Sequence, residues 1–212
     1  GEAFSFYYPE NLELMRDSGV TLVPVDPAAA AELPAVDGLY IGGGFPEVYA
    51  ARLGANTAFT GSIRDRVGDG MPVFAECAGL MYLARELVVD GTSHPMTGVL
   101  DLVVEQRPTP QGHGYEVAVA DRDNPFFPAG TKLVGHEFHY SKVISGSDLD
   151  RAVLRVERGT GTGQQRDGIV RGRVFASYLH LHAGATPGWA DGFLALAAQY
   201  AGERDGSTAA CG

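Results

Sequence analysis

One segment constrains this chain more than any other. A short apolar run, Met71-Pro72-Val73-Phe74-Ala75, turns through Glu76-Cys77-Ala78 into Gly79-Leu80-Met81-Tyr82-Leu83-Ala84-Arg85-Glu86-Leu87, whose apolar residues recur at helical spacing. A buried strand that runs straight into a helix implies an α/β layer architecture, because both elements must bury apolar surface against each other. Ala75 and Gly79 stand two residues before and two after Cys77. Small residues at those places are what a nucleophile elbow requires, since the backbone must pack closely to push one side chain out over the end of a sheet. The helix that follows would aim its positive end at the sulfur and favour thiolate. The same pentapeptide also fits a plain core cysteine, a residue type often fully buried.

Two further segments bear on that choice. Leu39-Tyr40-Ile41-Gly42-Gly43-Gly44 reads as a strand ending in three glycines, which lets backbone N–H groups approach a ligand without side chains in the way. In an acyl-transfer site, the N–H groups of Gly43 or Gly44 and of Ala78 would serve as oxyanion donors; a tight turn after a strand explains the glycines equally well. Val174-Phe175-Ala176-Ser177-Tyr178-Leu179-His180-Leu181-His182 is another strand that ends in histidines. The base that serves a cysteine must be its neighbour in space, so the long separation in sequence is no objection. Alternate residues of a strand share a side, which pairs His180 with His182.

Lys132–Tyr140 reads as a strand with His136 and Phe138 on one face and Glu137 and His139 on the other. Glu137, His139, His180 and His182 are all types that bind zinc, yet no His-Glu-x-x-His signature is present and the two cysteines are not at ligand spacing. The expectation is therefore no metal, with Glu137 or His139 supporting the site or facing a partner domain. Glu76, beside the cysteine, is placed either to orient a loop or to hold a substrate amino group.

No P-loop or dinucleotide fingerprint occurs in the 212 residues. The formal net charge of −10, from 16 basic and 26 acidic residues, disfavours a nucleic-acid surface. Apolar runs are too short for a membrane span, no secretory signal opens the chain, and two cysteines make no disulfide framework, so a cytoplasmic protein is expected. Strands are expected at Phe4–Tyr7, Thr21–Val25, Leu39–Ile41 and Val174–Leu179. Helices are expected at Pro9–Ser18, Thr57–Val67 and Trp189–Tyr200, and an antiparallel or mixed patch from Val99–Glu105, Tyr115–Ala120 and Lys132–Tyr140. The picture is an α/β domain over 1–200, a mixed, mostly parallel central sheet with helices on both faces, and a flexible tail over 201–212 that carries Cys211. Turn-rich composition marks Gln106–Gly114, Ser145–Asp150 and Gly159–Asp167 as the least ordered internal segments.

Five blocks, in order, resemble the glutamine amidotransferase domain of cobyrinic or hydrogenobyrinic acid a,c-diamide synthases, a branch of the class I amidotransferases. They are Phe4–Leu12, Asp37–Gly44, Ala75–Leu83, Gly135–Ser141 and Ala176–His182. The resemblance implies a flavodoxin-like class I amidotransferase fold. It implies that Cys77 attacks the side-chain amide of glutamine to give a glutamyl thioester, with His180 as base and acid. ATP and magnesium would belong to an N-terminal synthetase domain absent from this chain, which would also bind the corrinoid acceptor. Two departures stand out: Ala78 follows the cysteine where glycine is usual, and His182 occupies the place where class I enzymes usually carry a glutamate that orients the histidine. The site is then a Cys77–His180 dyad. Another acceptor, such as a nickel-sirohydrochlorin, or a non-catalytic amidotransferase-like interaction domain, are the alternative readings.

Overall fold

A computed structural model describes residues 2–209, the last three by backbone alone. In chain order the elements are β1 (Phe4–Phe6), α1 (Pro9–Asp17), β2 (Leu39–Ile41), β3 (Gly43–Gly44), α2 (Ala50–Ala55), α3 (Thr57–Gly68), β4 (Val73–Glu76), α4 (Ala78–Leu83), β5 (Glu86–Val89) and β6 (Thr92–Pro95). They continue with β7 (Val103–Gln106), β8 (Gly112–Ala120), β9 (Lys132–His139), β10 (Ser141–Ser145), a 3-10 turn (Ser147–Arg151), β11 (Ala152–Arg158), β12 (Arg166–Arg171), β13 (Val174–Ser177), β14 (His180–Leu181) and α5 (Asp191–Ala209).

Eight strands form the main sheet in the order β14-β9-β8-β11-β12-β13-β4-β2, and β10-β7-β5-β6 make a second sheet. β4 lies between parallel partners β2 and β13. It is buried on both faces, which is why its sequence is continuously apolar up to Glu76 rather than alternating. Val73 and Ala75 pack in one core with Phe59 and Ile63 of α3 and Leu80 of α4. Phe74 packs in the other, with Met15 of α1 and Phe193 of α5. Helices thus cover both faces, as expected.

Strand direction is a correction. Only β13–β4 and β4–β2 are parallel in the main sheet, and every other pairing there is antiparallel. Short connections between successive strands, as from β8 to β9 and from β11 to β12 to β13, reach only antiparallel neighbours.

Other expectations change too. Thr21–Val25 forms no strand. Pro24 lacks the N–H that a ladder needs, and Val23 stays 50% exposed. The helix expected to reach Leu87 stops at Leu83. Glu86–Val89 instead pairs with Thr92–Pro95 across a two-residue Asp90-Gly91 turn, both residues at positive φ, the geometry that Asp-Gly hairpins favour. At the other end, residues 201–209, expected as tail, continue α5; Arg173 and Arg204 tie this helix to the body through Glu203 and Asp37. Cys211 lies outside the described residues.

Candidate active site

Cys77 joins β4 to α4 at φ 48°, a positive value that a non-glycine residue adopts only where its surroundings impose it. They do so here through the Ser177 carbonyl, which accepts the Cys77 N–H at 2.7 Å, and the Cys77 carbonyl, which accepts from Met81 N–H at 3.2 Å. Gly79 has to be small: a Cβ there would lie 2.6 Å from the Ile41 carbonyl oxygen and 3.0 Å from the Ala75 Cβ. The elbow read from the sequence is present.

The thiol is buried and directs its hydrogen at the Phe138 carbonyl oxygen, 3.8 Å away. Burial pushes Cys77 up to about 12, against the Ala78 N–H aimed at the sulfur and with the help of the nearby carboxyls Glu47, Glu76 and Asp167. Burial thus works against the expected thiolate, and the N-terminus of the six-residue α4 does not outweigh it. Burial likewise pulls His180 down to about 4, with His136 and His139 adding to the effect. Both shifts favour the neutral form, thiol at Cys77 and imidazole at His180.

The structure brings His180 to the elbow by way of the backbone. β13 runs parallel to β4 with Ser177 opposite Glu76, and the chain then crosses to β14. Glu76 Oε1 accepts the Leu181 N–H at 2.9 Å, so residues adjacent in sequence to Cys77 and His180 share one buried hydrogen bond. The ring of His180 packs on Gly43, where an added Cβ would fall 2.3 Å from its Cε1. Gly43 and Ala78 thus flank the two candidate groups. Gly44 turns elsewhere, since its Cβ would meet the Ala3 carbonyl oxygen at 2.1 Å; the glycine run is not an open loop but a short strand paired with β1.

The remaining candidates divide. The alternation read along β9 holds: Glu137 and His139 are buried, whereas Phe138 is 44% exposed. Glu137 accepts the N–H groups of Thr160 and Gly161 at 2.7 and 3.0 Å, which orders the turn-rich Gly159–Asp167 segment. Burial opposes its charge, but those bonds and His139, whose Nε2 lies 3.6 Å away, hold Glu137 below its usual value. His139 donates Nδ1–H to the Ser141 carbonyl at 2.7 Å and stacks on Tyr178 with ring centroids 3.6 Å apart. Glu137 is thus engaged with the Thr160–Gly161 turn, and His139 with Tyr178 of the β13–β14 connection. His182 is turned to Glu10 and Tyr8 and accepts the Gly184 N–H at 3.0 Å. Of the four residues weighed for zinc, Glu137 and His139 lie together and His182 is turned to Glu10; among the described residues no group of three or more His, Cys, Asp or Glu is placed to hold a metal.

The sequence reading missed several contributors. Asn11, fully buried, donates to the Leu181 carbonyl at 2.7 Å and accepts the Ala183 N–H at 2.8 Å. Tyr40 donates its hydroxyl to Glu76 Oε2 at 2.8 Å. Asp167 accepts from Ser177 Oγ and the Tyr178 N–H, fixing the start of the crossing. An asparagine in a helical apolar face at Met15's spacing was the available signal for the first. Register across β14–β9–β8 aligns His180 with His136 and Tyr115, so the imidazole borders a face on which Tyr115 is 65% exposed.

Comparison with known proteins speaks to the family and the fold. The model of the CobB/CobQ-like glutamine amidotransferase domain matches residues 1–187. A cobyrinate a,c-diamide synthase of Magnetococcus marinus is 44% identical over 194 residues, covering 92% of this chain and 41% of that protein. One from Methanothermobacter thermautotrophicus is 44% identical over 192 residues, 91% of this chain and 42% of the relative. The chain thus spans about two fifths of the length of these relatives. Among solved structures, a glutamine amidotransferase matches 89% of this chain and 93% of its own with a TM-score of 0.62 at 21% identity. A glutamine amidotransferase of Thermotoga maritima matches 86% and 75% with a TM-score of 0.55 at 18% identity, and both likenesses speak to the fold alone. An elbow cysteine, a histidine whose strand is bonded to the residue before that cysteine, and a family match over most of the chain's length lead to one conclusion: this chain belongs to the CobB/CobQ-like glutamine amidotransferase family.

Proposed function

We propose that this domain hydrolyses glutamine at Cys77 and delivers the ammonia for amidation of the a and c carboxylates of cobyrinate. The observation that carries the reading is the strained elbow that presents Cys77, with the His180 segment bonded to Glu76 through the Leu181 N–H and the His180 ring against Gly43. Because both groups rest neutral, the imidazole is available as a base and the thiol still carries its proton. As sulfur attacks the glutamine side-chain carbonyl carbon, the thiol proton passes to His180, and the new C–S bond gives a tetrahedral oxyanion. The Ala78 N–H, aimed at the sulfur, and the Gly43 N–H would serve as donors for that oxygen. Collapse breaks the C–N bond, and the proton on His180 goes to the departing nitrogen, which leaves as ammonia. Water, deprotonated by the same imidazole, then cleaves the thioester to glutamate and restores the thiol.

The names of the curated relatives support the acceptor, and their greater length supports a further portion of the protein that activates the acceptor carboxylate with ATP and magnesium. No described helix is long and apolar enough to cross a membrane, and the absence of disulfide patterning favours a cytoplasmic setting. A diazoketone analogue of glutamine tests the reading. A single adduct should map to Cys77 and be suppressed by free glutamine, and Cys77→Ser should abolish both labelling and glutamate release. Labelling that glutamine does not suppress would refute the glutamine pocket.

A further inference from the structure

The segment that carries His180 is poorly supported by the sheet. β14 is two residues long, forms the end of the eight-stranded order and, among the described residues, pairs only with β9. Ladder bonds of that extent do not by themselves hold a strand. Side chains complete the support. On one side the fully buried Asn11 clamps the Leu181 carbonyl and the Ala183 N–H. On the other, Glu76 reaches across from the residue before Cys77 to take the Leu181 N–H on Oε1 at 2.9 Å. Glu76 is 1% exposed, and its second oxygen is fixed by the Tyr40 hydroxyl at 2.8 Å, so the carboxyl cannot swing away. A contact below β14 is equally tight, since a Cβ on Gly135 would lie 2.1 Å from the His180 carbonyl oxygen.

The geometry points to Glu76 as a positioning residue that sets the place of His180 relative to Cys77 through the backbone of Leu181. The role rests on the proposed hydrolysis for its consequence but not for its existence. The carboxyl touches neither the sulfur nor the imidazole; it holds the peptide that follows the histidine. Because Glu76 also precedes the nucleophile, one rigid side chain references both reacting residues to the end of β4. The chain has histidine, His182, where a glutamate would act on the imidazole directly, and His182 is engaged with Tyr8, Glu10 and Gly184. Orientation is supplied from the other strand instead. What Leu181 needs is an oxygen acceptor, so a glutamine at position 76 can still serve, whereas leucine cannot.

The test compares Glu76→Gln, Glu76→Leu and Glu76→Asp in the whole chain, with two readouts. One is the titration of the His180 imidazole by NMR, assigned with His180→Gln; the other is glutamine hydrolysis. Release of β14 admits water to His180. Its midpoint should then climb from about 4 toward the ordinary 6.5 in Glu76→Leu and stay low in Glu76→Gln. Turnover should fall on the order of 10²-fold in Glu76→Leu with KM within about threefold, and remain within about fivefold of the parent in Glu76→Gln. If Glu76→Leu does not fold, Glu76→Asp decides, since its shorter carboxyl cannot reach Leu181 and Tyr40 together and should shift the titration the same way. An unmoved His180 midpoint in a folded Leu or Asp variant overturns the tether, as does a Gln variant as damaged as Leu. Should the parent hydrolyse no glutamine, the proposed function fails while the titration still decides the tether.

Discussion

At the scale of single residues, the site is defined by what burial does to two groups. Burial raises the Cys77 thiol to about 12 and lowers the His180 imidazole to about 4, which favours two neutral groups, so in the proposed hydrolysis the proton moves during the reaction and not before it. Alkylation of Cys77 by iodoacetamide should therefore accelerate by about tenfold per pH unit from pH 6 to 9, because only thiolate reacts and its fraction keeps rising below the pKa. A plateau near pH 7 would show a preformed thiolate–imidazolium pair and contradict the neutral resting state. Gly43 makes the second argument at this scale. Its φ is unremarkable, so its role is space: the His180 ring occupies the place a Cβ would take. Gly43→Ala should displace the imidazole and lower glutamine turnover on the order of 10²-fold, while costing only about 1–3 kcal/mol in denaturant stability. Turnover within twofold of the parent would mean that the ring yields without functional loss.

At the scale of elements, glycines in helices separate packing from propensity. Gly61 lies inside α3 with only the tip of Arg64, 3.8 Å away, near its would-be Cβ. Gly61→Ala should raise stability by about 0.5–1 kcal/mol, read as a higher urea midpoint at unchanged slope, without altering hydrolysis. Gly79→Ala should do the opposite, because α4 lies directly on the Ile41 carbonyl. The same contrast explains what was legible beforehand. β4 and the elbow were readable because burial on both faces leaves a continuous apolar run, and the β9 alternation because one face is buried and the other open. Along β8 only Tyr115–Ala120 was visible: Gly112–Gly114, expected within a least ordered, turn-rich segment, open the strand instead. The length of α4 was not, since Arg85-Glu86-Leu87 suits a helix locally and only the Asp90-Gly91 hairpin, a signal three residues beyond, claims it for β5. Strand direction was hidden for a different reason: apolar pattern reports burial and says nothing about which neighbour a strand pairs with. At the site, Cys77, His180 and Gly43 carried spacing signals, while Asn11 and Tyr40 act through contacts over sequence separations of 170 and 36 residues that no local pattern encodes.

At the scale of the molecule, a set of buried carboxyls lies under the β13–β14 crossing. Glu116 is fully buried, and its carboxyl lies against those of Asp167 and Glu137, to which its protonated form can donate. Burial first, and then the charges of Asp167 and Glu137, hold Glu116 far above the carboxylate range, so it stays protonated in the folded state. Asp167 is raised as well by burial, although Ser177 and the Gly168 and Tyr178 N–H groups favour its charge. Glu137 is shifted the other way. The sign of the linkage follows. A group whose folded pKa is raised binds its proton more tightly in the folded state, so its stabilising contribution is complete below the unfolded value of about 4.5 and is lost as pH rises through the neutral and alkaline range. Glu116→Gln keeps the shape and an uncharged donor but removes the titration. Its thermal midpoint should match the parent near pH 4, exceed it by a margin that widens from pH 6 to pH 9, and thereby flatten the alkaline fall. A constant offset between the two proteins across that range would mean that Glu116 ionises alike folded and unfolded, and that the carboxyl cluster does not set the alkaline limit of this fold.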